Sequence, residues 1–72
     1  MQFTAYIEKD AESGMYIGIV PALTGAHTYA ETIDELQVRL QEVVELCLED
    51  MEYDERSSLP RFAGITQLEV AV

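Results

Sequence analysis

The stretch TIDELQVRLQEVVELCLEDMEYD, Thr32 to Asp54, decides the fold. Within it Ile33, Leu36, Leu40, Val43, Val44, Cys47, Leu48 and Met51 recur at steps of three and four, which at 100° per residue gathers them into one apolar stripe. The spacing predicts one helix over 32–54, lying on a core. Thr32 can accept hydrogen bonds from the free N–H groups of the first turn, and Glu35, three residues on, can reach back to the cap, as in a capping box. No Pro or Gly interrupts the run. The opposite face carries Glu35, Arg39, Glu42, Glu45, Glu49 and Glu52 and is open to water or to a charged partner.

Working outward toward the N-terminus, Gln2 to Glu8 alternates, with Phe3, Ala5 and Ile7 on one side and Thr4, Tyr6 and Glu8 on the other, the period of a half-buried strand. Lys9 to Gly14 is polar or small and reads as a turn. Met15 to Val20 resumes the alternation, so the two segments predict an antiparallel hairpin. Pro21 has no N–H to donate and ends the second strand; a loop to Gly25 and a short third strand over 26–30 lead into the helix. Beyond the helix, Glu55 to Pro60 reads as a polar linker, and Thr66 to Val72 sets Leu68, Val70 and Val72 against Gln67, Glu69 and Ala71, the pattern of a fourth strand.

The expected fold is therefore α+β, in the order β-β-β-α-β: a three-stranded antiparallel meander, one long helix on one face, and a fourth strand. Phe3, Ala5, Ile7, Ile17, Ile19, Leu68, Val70 and Val72 are expected to meet the helix stripe. A helix of about 22 residues is roughly 33 Å long, whereas a seven-residue strand spans about 23 Å, so the last helical turns, with Met51 and Tyr53, should overhang the sheet. Residues 1–72 form a single domain, with no internal repeat and no composition shift. A core this small is marginal alone, and together with the overhang and a far sheet face carrying Tyr6, Tyr16 and Val20 it points to a homo-oligomer, a dimer or tetramer.

Fourteen acidic residues face four basic ones, a net charge of −10, and ten of the acids lie between Glu31 and Glu55 with only Arg39 to oppose them. Such a surface repels phosphate, which excludes direct nucleic-acid binding as the expected activity. Glu49, Asp50, Glu52, Asp54 and Glu55 crowd the C-terminal turns, where the helix dipole already favours cations, a placement that invites a basic partner. No apolar run approaches 18 residues and no basic segment precedes an apolar one, so neither a membrane span nor a signal peptide is expected and the cytoplasm is the default compartment.

Chemical sites are few. Cys47 is the single cysteine and falls on the buried stripe, the place of an inert thiol. His27 is the single histidine and has no Ser or Cys nearby in sequence, so it reads as a structural or interface side chain. Carboxylates open to water have nothing to move their pKa toward acid–base work. Gly14, Gly18, Gly25 and Gly64 are dispersed and form no phosphate loop. No catalytic residue, metal or cofactor is expected, and the chain reads as a non-enzyme.

Four motifs stand in register: Phe3-Thr4-Ala5-Tyr6-Ile7-Glu8-Lys9-Asp10, Gly14-Met15-Tyr16, Val20 to Thr28 (VPALTGAHT), and Glu31-Thr32-Ile33-Asp34-Glu35-Leu36. Together they resemble the N-terminal domain of HicB-type antitoxins and its small stand-alone relatives over residues 2 to about 50. The resemblance implies a partly degraded ribonuclease-H-like fold without nuclease activity, and a partner of HicA type, a small basic RNA-cleaving toxin. Ala22, Thr24 and Ala26 depart from the Asp, Pro and Cys common in that family, and the C-terminal DNA-binding module of full-length members is not expected here. Joined to the acidic helix, the resemblance implies inhibition by occlusion. On that expectation Glu42, Glu45, Leu46, Glu49, Glu52 and Tyr53 face the toxin, and His27 and Tyr29 form the neighbouring rim. The competing expectation is a self-associating HicB-like domain whose partner is an unrelated protein.

Overall fold

The computed structural model describes residues 1–71. Strands β1 (Tyr6–Lys9), β2 (Tyr16–Ile19) and β3 (His27–Ala30) form an antiparallel sheet in the order β1-β2-β3, followed by helices α1 (Ile33–Glu49) and α2 (Tyr53–Ser57). The meander and the helix across it match the sequence reading. Asp10 closes the first hairpin by accepting from the Ser13 hydroxyl at 2.6 Å and the Ser13 N–H at 3.0 Å, while Gly14, at φ +74°, supplies the left-handed residue that turns the chain.

The buried core is Val20, Leu23, Ala26, Ala30, Leu36 and Leu40. One of these, Leu23, comes from the segment read as a plain loop. There the Val20 N–H donates to Ala26 O at 2.8 Å, and the Leu23 N–H returns to Val20 O at 3.1 Å, so the loop folds Leu23 under the helix.

Three expectations are corrected. First, the strand faces are exchanged in β2. Ile7 pairs with Gly18 and Tyr16 with Ala30, so Tyr16, Gly18 and Val20 share the helix side, while Ile17 and Ile19 lie on the other face. A Cβ built on Gly18 would stand 2.7 Å from Leu40 Cδ1, which identifies Gly18 as the point of closest helix approach. The helix settles where the sheet has no side chain, and hydropathy alone selects the two isoleucines instead.

Second, the single helix over 32–54 is two. α1 ends at Glu49, Asp50 caps it, and Glu52 is extended at φ −71°, ψ 159° before α2 begins. An unbroken helix to residue 54 would put Glu52 and Asp54 in its last turn, on the negative end of the dipole, whereas the break leaves Asp54 in the first turn of α2, where acids are favoured. The break also lets Arg56 of α2 turn back, its Nε donating to Leu48 O at 3.1 Å and its Nη2 to the same carbonyl. Met51 and Leu59 then pack against the core, so only Tyr53 of the expected overhang is left uncovered.

Third, no fourth strand forms among the described residues, and residues 58–71 carry no helix or strand. Leu68 and Val70, expected in the core, are 82 % and 72 % exposed; Val72, assigned to the same strand, lies outside the described residues. A ribonuclease-H-like topology is accordingly not established. Among the described residues no helix is long and apolar enough to cross a membrane.

Candidate functional site

The acidic face is built by α1. Thr32 Oγ1 accepts from the Glu35 N–H at 3.1 Å, which supplies one half of the predicted capping box; the Glu35 carboxylate turns the other way, to Arg39 at 3.0 Å. Arg39 also donates to the Tyr29 carbonyl at 2.7 Å, tying the helix to β3. One turn further along, Glu42, Glu45, Leu46 and Glu49 share the solvent face, spaced at three and four residues, and all are exposed. Gln41 Nε2 holds Glu45 at 2.8 Å. Glu52 lies immediately before α2 and Tyr53 opens it, 83 % exposed.

His27 and Tyr29 do not join this face. Their neighbours Ala26 and Ala30 are buried on the helix side, so strand alternation puts His27 and Tyr29 on the far face of the sheet. The cross-strand rows there are Tyr6, Ile19 and His27, then Glu8, Ile17 and Tyr29. The eight residues expected at one interface thus divide between opposite sides of the domain. The sheet row was missed because the β2 faces were exchanged; its signal was the pairing register, which follows from hairpin length rather than hydropathy. The cation that the acidic helix end was expected to seek from a partner is supplied by Arg56 of the same chain.

A second feature lies beside β1. Phe3, Ala5 and Ile7 from the β1 side and Leu40, Val44 and Leu48 from α1 line an open groove of about 800 Å³, with Gln37, Gln41 and Glu45 at its rim. Residues 60–66 run past the start of β1, lining a separate hollow with Thr4, Ala5 and Tyr6. Among the described residues no cluster of three His, Cys, Asp or Glu side chains is disposed to hold a metal ion. The Asp10 carboxyl is held below its ordinary value of 3.8 by the Ser13 hydroxyl first and the Ser13 N–H second, the signature of a closed turn.

A protein of Synechocystis named as a UPF0150 protein is 45 % identical over 69 residues, covering 96 % of this chain and 94 % of its own. The chain belongs to the UPF0150 family. A UPF0150 protein of Thermotoga maritima is 40 % identical over 68 residues, covering 94 % of this chain and 88 % of its own, and one of Archaeoglobus fulgidus is 51 % identical over 49 residues, covering 68 % and 70 %. No family model matches the chain, and no solved structure matches it.

Membership of UPF0150 corrects the HicB assignment. These relatives carry the UPF0150 name and none is named as an antitoxin, so the toxin–antitoxin reading, with occlusion of a HicA-type toxin as its mechanism, falls with it. The motifs behind that assignment do backbone work. Gly14 and Gly25 occupy positive φ in turns, Pro21 ends β2 and Thr32 caps α1, duties that any chain of this meander-and-helix form must fill.

Proposed function

We propose that this UPF0150 chain is a non-catalytic assembly domain whose working form is a homo-oligomer, a dimer or a tetramer. The observation that carries the reading is surface area. The chain exposes 6166 Å², where a compact protein of 8.1 kDa is expected to expose about 4,500 Å². The excess, roughly 1,700 Å² per chain, is of the size that stable oligomers remove from water.

Its location supports the same reading. Tyr6, Ile19 and Tyr29 on the far sheet face and Phe62, Ile65, Leu68 and Val70 in the C-terminal segment are all exposed. Both regions are nearly free of charge, holding Glu8 on the sheet face and Glu69 in the segment after Arg61. A chain of net charge −10 can meet its own copy only through surfaces that leave the carboxylates outside. The same charge argues against nucleic acid as a partner. The half-buried free thiol of Cys47, with no disulfide, suits a reducing compartment, and the cytoplasm is part of this proposal.

Sedimentation equilibrium of the full chain tests it. The expected result is a mass that is an integral multiple of 8.1 kDa at micromolar concentration, with association strengthened by added salt as like charges are screened. A single 8.1 kDa species at every concentration and salt level overturns the proposal.

A further inference from the structure

The sheet has two edges, and they are not alike. At β3 the Arg39 guanidinium takes the Tyr29 carbonyl, so that edge is partly covered by a side chain. β1 pairs only with β2 among the described residues, and its other edge is open. An open edge presents unpaired N–H and C=O groups and is a template for a further strand. Directly beneath this edge lies the groove lined by Phe3, Ala5, Ile7, Leu40, Val44 and Leu48. A strand added to β1 would place alternate side chains into it.

The chain carries a segment with the matching period. Residues 66–71 set Leu68 and Val70 on one side and Gln67, Glu69 and Ala71 on the other, with no Pro or Gly. The stretch just before it, residues 60–66, shares a hollow with Thr4, Ala5 and Tyr6 at the start of β1, and the whole segment stands off its own domain, with Phe62, Ile65, Leu68 and Val70 all exposed. The departure is visible in the dimensions. The Cα radius of gyration is 14.1 Å with a longest extent of 43 Å, where a compact chain of this length has about 11 Å.

We propose that residues 66–71 are exchanged between two copies of the chain, each adding a strand to the open β1 edge of the other and placing Leu68 and Val70 in its α1–β1 groove. This rests on the self-association reading above and specifies its geometry. Exchange satisfies three requirements together: it pairs the β1 edge, fills the groove and covers the exposed side chains of the arm. It is reciprocal, so a two-fold dimer closes without leaving a free arm. The partner is a second copy because the surplus surface of one protomer matches what a dimer removes from water. The interface leaves the carboxylates of Glu42 and Glu49 outside, with Glu45, held by Gln41, at its rim.

The test mixes full-length chains, half of them carbon-13 labelled and half unlabelled, and records isotope-filtered NOE spectra alongside sedimentation. Contacts from Leu68 and Val70 methyls to Phe3, Ile7, Leu40 or Val44 of a different molecule are expected. A second measurement uses the double variant Leu68→Asn and Val70→Asn, expected to weaken dimerisation at least 100-fold, with Val38→Asn as a control of similar exposure that leaves it unchanged. A dimer whose arm contacts are all intramolecular, or whose arm makes none, overturns the exchange and leaves self-association standing. A monomer overturns both. A dimer of undiminished affinity in the double variant also overturns the exchange.

Discussion

Gly18→Ala tests whether the helix sits where the register puts it. The new Cβ would lie 2.7 Å from Leu40 Cδ1, 3.1 Å from Cδ2 and 3.2 Å from Cγ. Because the branch carbon is crowded as well as both methyls, rotating one methyl away does not clear the site, and Leu40, 6 % exposed, can withdraw only toward the groove it lines beside β1. The helix must move outward or Leu40 must leave its preferred rotamer. Overpacking of this kind costs about 1–3 kcal/mol. Removing a glycine from a strand returns about 0.5–1 kcal/mol, so the expected net loss is about 1–2 kcal/mol. In a domain of this length that lowers Tm by roughly 5–15 °C. Thermal unfolding followed by circular dichroism, at one protein concentration because association shifts the midpoint, measures it. In a double-mutant cycle with Leu40→Ala the two changes should be favourably coupled by more than about 0.5 kcal/mol. A Gly18→Ala chain that melts at or above the parent temperature, or a cycle without coupling, would refute the contact and the helix-facing assignment of Tyr16, Gly18 and Val20 with it.

Further outcomes follow from the ends of the elements. Arg56→Ala removes the cation from the Leu48 carbonyl and leaves Glu49 and Asp50 unopposed at the helix end; a loss of about 1 kcal/mol is expected in urea unfolding. Thr32→Ala removes the one formed half of the capping box and should cost about 1 kcal/mol, with Thr32→Ser retaining most of the stability. The Asp10 carboxyl titrates below 3.8 in the folded chain because the Ser13 hydroxyl and N–H bind its charged form. Since the folded value is the lower one, this stabilisation is complete above the unfolded value and disappears as pH falls through the folded value. Ser13→Ala should raise the Asp10 midpoint in an NMR titration and reduce the acid sensitivity of the hairpin. An unmoved midpoint would show that the hydroxyl is not the cause.

How much was legible differs by element. Apolar spacing located α1 and the three strands because periods of 3.6 and 2 are imposed by backbone geometry. Thr32 was legible as a cap because a hydroxyl before an apolar periodic run has a specific use there. The break after Glu49 was not legible, since no Gly or Pro marks it; it depends on Arg56 reaching a carbonyl eight residues back. The candidate site was half legible. Glu42, Glu45, Leu46 and Glu49 share a face as their spacing requires, whereas His27 and Tyr29 belong to the other side of the sheet.

The sequence by itself determined the order of elements, the acidic solvent face and the alternation in residues 66–72, because each depends only on neighbours a few positions away. Tertiary structure alone decided which face of β2 meets the helix, that Leu23 and Ala26 join the core, and that the C-terminal segment leaves its own sheet. These depend on cross-strand register and on the volume available at one glycine. Such quantities exist only once distant segments are packed together, and no periodicity along the chain encodes them.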